Sequence, residues 1–288
     1  MKLAYRENYN RKEKDMITSI CPFASNITAD VEIPDNITKI EKCNFMECYN
    51  LKTAILPNNI KTIGQSAFNN CHDLENIKLP DFVEVIGKNA FLFCGSLKSI
   101  DIPDSILEIK PSAFNGCRAL KELNLPNSLT IINDATFIDC VSLEKIKLPN
   151  SIKSIGLCTF AGCKSLNEIV FPDTIEKIDR HAFFGCKSLE KVKIPSSVEF
   201  IGSCAFANCE NLKEIRINAK CKLPDMLLYG CHNLKKIYIT KESYDLSPEF
   251  IKDYEKKIEI TNKPLEQLFD EGKSFREVSE YFKKIEER

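Results

Sequence analysis

Apolar residues recur along this chain in a pattern that repeats every 23 residues and carries its own local periods. In the stretch LKSIDIP, Leu97, Ile100 and Ile102 are apolar and Lys98, Ser99 and Asp101 are polar. The last two apolar positions alternate, as they do in a strand with one buried face. Pro103 follows at once and, having no N–H for a ladder, predicts the strand's end. The same event occurs at Pro34, Pro57, Pro80, Pro126, Pro149, Pro172 and Pro195, each one period from the next. Phe45, Phe68, Phe91, Phe114, Phe137, Phe160, Phe183 and Phe206 keep the same step, as do Cys48, Cys71, Cys94, Cys117, Cys140, Cys163, Cys186 and Cys209. The unit generalises to Pro-x-x-Ile-x-x-Ile-Gly-x-x-Ala-Phe-x-x-Cys-x-x-Leu-x-x-Ile-x-Leu, and Gly64, Gly87, Gly156 and Gly202 mark a bend where units tighten.

One such unit cannot bury its own apolar face. Neighbours therefore stack, and Phe, Cys, Leu and Ile each form a ladder inside a repeat solenoid. The ends depart from the pattern, as capping turns should. Before Pro34 only Val31 and Ile33 fit the strand, and after Ile217 Asn218 stands where proline belongs. A shortened turn follows with Leu228, Cys231, Leu234, Ile237 and Ile239, and Ile258 and Ile260 alternate as a last strand. Beyond Pro264, Leu265, Leu268 and Phe269, then Phe275, Val278, Phe282 and Ile285, recur at helical spacing, with Ser274 and Glu277 as a capping box. The pattern divides the chain into an N-terminal segment 1–27, a solenoid 28–240 and a C-terminal cap 241–288 with amphipathic helices divided near Gly272.

The segment IPDSILEIKPSAFNGCRALKELNLP resembles the BspA-type, or Treponema-type, leucine-rich repeat, over roughly Val31 to Ile239. The resemblance implies a right-handed superhelix with a parallel β-sheet on its concave face and short strands or turns on the convex one. It also implies protein–protein recognition, often as adhesion at a cell surface. The chain departs from that surface pattern at its start, where Met16 to Ala24 is broken by Thr18, Ser19 and Pro22 and does not make a signal-peptide core. The expectation is a cytoplasmic protein, with a cell-surface or secreted one as the family alternative.

Composition changes this picture little. Hydrophobic residues are 43% and charged residues 28% of the 288, as in a protein that buries a core. A net charge of −1 gives no global field for nucleic acid or anionic membrane. No run approaches the roughly 18 apolar residues of a membrane span.

Fourteen cysteines invite a disulfide or metal reading. Nine lie in the ladder, counting Cys231, where each serves as a small hydrophobe and side chains pointing the same way oppose the disulfide dihedral. Free thiols suit a reducing cytosol. Cys43, Cys158 and Cys204 share a column with Ser66, Asn89, Ser112, Ala135 and His181, which reads as a tolerant position beside a turn and not a zinc site. Cys21 and Cys221, near the ends, are the candidates for a reactive or a bridging thiol. His72, His181 and His232 occupy variable surface positions. No nucleophile elbow, phosphate loop or His-Glu-x-x-His occurs. The reading is non-enzymatic, with no cofactor and no metal.

Function is then sought on the sheet face. One outward column runs Ile55, Lys78, Asp101, Asn124, Lys147, Val170, Lys193, Arg216, Tyr238; beside it run Thr53, Asn76, Ser99, Glu122, Lys145, Glu168, Lys191, Glu214, Lys236. The C-terminal third gathers Lys191, Lys193, Lys213, Arg216, Lys235 and Lys236 with Tyr238, against Glu190 and Glu214. Two readings stay open: a basic patch with an aromatic anchor for an acidic protein surface, and a face kept charged for solvation. The expected function is a protein-interaction module that binds through the concave sheet. A self-assembling scaffold is the alternative, and nucleic acid ranks below both for want of aromatics.

Overall fold

A computed structural model describes residues 29–261. The chain winds as a β-solenoid with two strand-bearing sides. The longer strands are β1 (Ala29–Glu32), β2 (Leu51–Ile55), β4 (Asn76–Lys78), β7 (Glu122–Asn124), β9 (Lys145–Lys147), β12 (Lys191–Ile194), β14 (Glu214–Ile217), β15 (Lys236–Thr240) and β16 (Ile258–Thr261). Two-residue strands line the other side: β3 (Thr62–Ile63), β5 (Val85–Ile86), β6 (Glu108–Ile109), β8 (Ile131–Ile132), β10 (Ser154–Ile155), β11 (Lys177–Ile178) and β13 (Phe200–Ile201). All pairings are parallel and join one coil to the next, as in Lys191↔Glu214 and Glu214↔Lys236. The long-strand side falls into the ladders β1-β2-β4, β7-β9 and β12-β14-β15-β16. Residues 166–171, between β9 and β12, follow the same path without forming a strand.

The repeat residues fill the interior as the spacing predicts. All eight ladder phenylalanines have 0% exposure. Their rings stack coil on coil, from Phe45 on Phe68 at 4.9 Å to Phe183 on Phe206 at 5.1 Å. Each repeat proline opens a turn: its carbonyl accepts the N–H three residues on, as from Ile106 to Pro103 at 3.1 Å. The glycine bend is a close approach of coils. A Cβ on Gly87 would lie 2.6 Å from the carbonyl carbon of Gly64.

The ladder cysteines do more than fill space. From Cys71 onward each ladder thiol donates to a phenylalanine carbonyl one coil back, Cys71 to Phe45 at 3.0 Å, Cys117 to Phe91 at 3.2 Å and Cys231 to Phe206 at 3.1 Å among them. The same carbonyl already accepts a backbone N–H within its own turn, as from Cys94 to Phe91 at 3.2 Å. The thiol occupies its second lone pair, which a plain small hydrophobe would leave unused. None of the thirteen described cysteines is in a disulfide.

After β15 come two short helices, α1 (Lys241–Leu246) and α2 (Pro248–Tyr254). Thr240 caps α1 by accepting from the Ser243 N–H at 3.1 Å. Ser243 Oγ reaches the carbonyls of Ala219 at 2.7 Å and Cys221 at 2.9 Å, and the Leu223 N–H donates to Ser247 Oγ at 2.8 Å. With Phe250 and Ile251 buried, these bonds fasten the helices onto the end of the core. The last strand is as the alternation predicts, although Ile260 is exposed and Thr261 is buried. The segment 1–27, Cys21 and the helices expected beyond Pro264 lie outside the described residues.

Candidate functional site

The long-strand side presents two outward columns with different electrostatics. In the first, Glu122, Lys145, Glu168, Lys191, Glu214 and Lys236 alternate in sign from coil to coil, with Glu122↔Lys145 and Lys191↔Glu214↔Lys236 in direct register. Adjacent strands lie about 4.8 Å apart, so each charge sits between opposite ones and the column compensates itself. In the second, Lys147, Val170, Lys193, Arg216 and Tyr238 follow one another, with Lys193↔Arg216↔Tyr238↔Glu259 in register. From Asn124 to Tyr238 this column holds no acid.

Two grooves lie along these columns. One of about 930 Å³ is lined by Glu168, Val170, Lys191, Lys193, Glu214 and Arg216 among others. A second of about 500 Å³ is lined by Glu122, Asn124, Lys145 and Lys147 and shares Glu168 and Val170 with the first. They meet where the strand ladder is interrupted. Val170 stands at that junction with 67% of its surface exposed.

Lys191 and Lys193 lie on β12, Arg216 on β14, and Lys236 and Tyr238 on β15, while Lys213 and Lys235 precede their strands and form a third column. Arg216 is the most engaged of them. Its guanidinium carbon lies 4.5 Å over the Tyr238 ring and an Nη reaches Glu214 at 3.5 Å. Lys213 pairs with Glu190 at 2.8 Å, which holds the Glu190 carboxyl below its ordinary range. Lys236 meets Glu259 on β16 at 2.7 Å; that hydrogen bond, with Tyr238 nearby, holds its ammonium above its ordinary range. The C-terminal gathering is thus an interleaved set of both signs. The sequence columns contained Lys147 and Val170, but only the grooves single them out; Glu259 enters because β16 continues the ladder.

On the turn side the column of Cys43, Cys158 and Cys204 has left-handed backbone throughout, with φ of 60°, 54° and 57° at those three. The position tolerates many side chains but one conformation, held by bonds such as the Cys43 N–H to the Gln65 carbonyl at 3.0 Å. Among the described residues, no group of three or more His, Cys, Asp or Glu converges to hold a metal. His72 and His232 are exposed and His181 is half-buried. Cys221 is buried, and burial pushes its thiol up to about 11.

The model of the BspA type leucine rich repeat region matches residues 19–144 and 130–256, in six copies. The chain belongs to the BspA type leucine-rich repeat family. A leucine-rich repeat protein from Bacteroides ovatus is 22% identical, the match covering 85% of this chain and 94% of that one with a TM-score of 0.33. A leucine rich cell surface protein from Faecalibacterium prausnitzii is 24% identical, over 82% and 88%, with a TM-score of 0.47. The pneumococcal vaccine antigen PcpA is 20% identical, over 86% and 83%, with a TM-score of 0.47. Curated proteins gave no match. Among the described residues, no helix of this BspA-type chain is long and apolar enough to cross a membrane.

Proposed function

We propose that this BspA-type chain is a binding module that holds a protein partner against its long-strand face and performs no chemistry of its own. The observation that carries the reading is the pair of grooves meeting at exposed Val170, with Lys147 on one side and Lys193 and Arg216 on the other. Because the neighbouring column compensates itself, the sign that a partner meets is that of the second column, which favours an acidic protein surface with an apolar side chain for Val170. Lys191, Lys213, Lys235 and Lys236 border this face in columns of mixed sign, Lys213 and Lys236 with their charges met by Glu190 and Glu259, and Tyr238 with Arg216 is its anchor. The solenoid 28–240 is the working part, flanked by 1–27 and 241–288.

The test is quantitative capture from a native extract, comparing the unchanged chain with Lys193→Glu/Arg216→Glu and with a control, Lys61→Glu, on the short-strand side. A partner lost about tenfold with the double variant and kept by the control supports the reading; equal capture by all three overturns it. A second reading, self-assembly, is favoured by Ile260, which is 39% exposed on the last described strand. Mass in solution across concentration decides it, a monomer throughout removing assembly. A cytoplasmic location goes with the unbridged thiols; digestion of the chain by protease added to intact cells would place it at the surface instead.

A further inference from the structure

Among the described coils, a strand side that loses its ladder is backed by the other side, except at one junction. On the short-strand side the backbone N–H that follows each strand donates to the carbonyl ending the strand before it. Gly87 reaches Ile63 at 2.8 Å, Lys110 reaches Ile86 at 2.9 Å, and Gly156, Asp179 and Gly202 reach Ile132, Ile155 and Ile178 at 2.9, 2.9 and 2.8 Å. At Asn133 the side chain takes over. Its Nδ2 donates to the Ile109 carbonyl at 2.7 Å, and among the described residues no backbone bond joins 107–109 to 130–133. A side-chain amide competes with the backbone for that carbonyl and reaches it across a wider gap. β6 and β8 accordingly belong to different ladders. The long-strand side is open at the same level, since residues 99–101 form no strand and β4 and β7 are not joined. Residues 166–171 also lack a strand, but there the short-strand ladder β8-β10-β11-β13 runs through unbroken.

The turn edge holds where the strand sides do not. The Phe91 N–H donates to the Ala113 carbonyl at 2.8 Å and the Phe93 N–H to that of Asn115 at 2.7 Å, while the Phe91 and Phe114 rings stack at 5.3 Å. The Phe93 ring lies against Gly116, where a Cβ would come within 2.4 Å of it. Coils that touch only their neighbours bend where an interface is weakest, and one bonded edge beside two sides without ladders has the geometry of a hinge. We propose that the solenoid is jointed here. Residues 29–111 and 112–261 are two stiff blocks that bend about the turn edge, with Asn133 as the spacer that keeps their strand sides apart. The grooves, lined from Glu122 to Arg216, lie wholly in the second block. The bend therefore swings the early coils relative to the grooves and leaves the grooves' own shape unchanged. The joint is independent of what binds in them.

The experiment puts pairs of nitroxide labels on the full chain through encoded p-acetylphenylalanine, which avoids the cysteines. One pair, at exposed Lys39 and Phe200, spans the joint; the other, at exposed Lys145 and Lys236, lies within the second block. Pulsed electron spin resonance in frozen solution gives the width of each distance distribution. In the unchanged chain the pair across the joint is the broader. Asn133→Gly and Asn133→Lys introduce residues that other junctions carry with the ladder intact, and either one narrows that pair toward the internal one. The same variants slow amide hydrogen exchange at 130–133 about tenfold or more, toward the level at 153–156. Equal widths for the two pairs, a width that neither variant narrows, or exchange at 130–133 already as slow as at 153–156 in the unchanged chain overturns the proposal.

Discussion

Replacing Phe114 by alanine removes the middle ring of a continuous stack. Phe114 has 0% exposure and lies against Phe91 at 5.3 Å and Phe137 at 5.7 Å. Loss of a buried aromatic with incomplete collapse costs about 3–5 kcal/mol. The position matters because coils contact only their neighbours, so one cavity weakens two coil-to-coil interfaces at once. Phe45 provides the internal comparison. Its one ring neighbour among the described residues is Phe68, at 4.9 Å, so Phe45→Ala forfeits one stacking contact where Phe114→Ala forfeits two. With each such contact contributing about 0.5–1.5 kcal/mol, the central variant should be less stable than the terminal one by about 1 kcal/mol. Urea unfolding followed by far-UV circular dichroism suits a chain that has no tryptophan. Hydrogen exchange then shows whether the coils before and after residue 114 open separately. A loss below about 1 kcal/mol at Phe114, or a larger loss at Phe45, would refute the nearest-neighbour reasoning.

Gly87→Ala puts a Cβ 2.6 Å from the Gly64 carbonyl carbon, while Gly95→Ala meets nothing within 4 Å. The first should cost about 1–3 kcal/mol and the second almost nothing, as judged by urea midpoints. Cys117→Ala strips the Phe91 carbonyl of its second donor and some buried volume, a loss of about 1–2 kcal/mol that thermal unfolding would register. Burial holds the thiols of Cys94, Cys117, Cys140, Cys163 and Cys186 well above 9.0. The native chain keeps these protons while the unfolded chain releases them near 9.0, so stability is complete below that pH and falls as pH rises. One unit higher, five thiols at about 1.4 kcal/mol each remove roughly 7 kcal/mol, and a pH titration by circular dichroism should show cooperative unfolding near pH 10. A fold intact at pH 11 would contradict this.

The helices α1 and α2 illustrate what a pattern search passes over. They have six and seven residues, too few to display an apolar helical period. Local chemistry nevertheless marked them: Thr240 is a capping residue, and Ser247-Pro248-Glu249 is a helix start with proline in its first turn. The candidate site was legible in part for a similar reason. Its columns follow from the 23-residue step, shortened by one residue in the turn before Tyr238, and Lys193, Arg216 and Tyr238 stand side by side in register. Which charges remain for a partner was not legible, because pairs such as Lys213 with Glu190 and Lys236 with Glu259 depend on how long side chains lie across coils.

By itself the sequence determined the period, the end of each strand at its proline and the inward set of Phe, Cys, Leu and Ile. Burial of one face is a local demand that alternation and repetition write directly into the chain. Tertiary structure decided the left-handed turn columns, the carbonyl that each thiol serves, and the joined grooves at Val170. These depend on groups one coil away in the stack, whose backbone direction is set only when the neighbouring coil is in place. No pattern of residue types can state that direction beforehand.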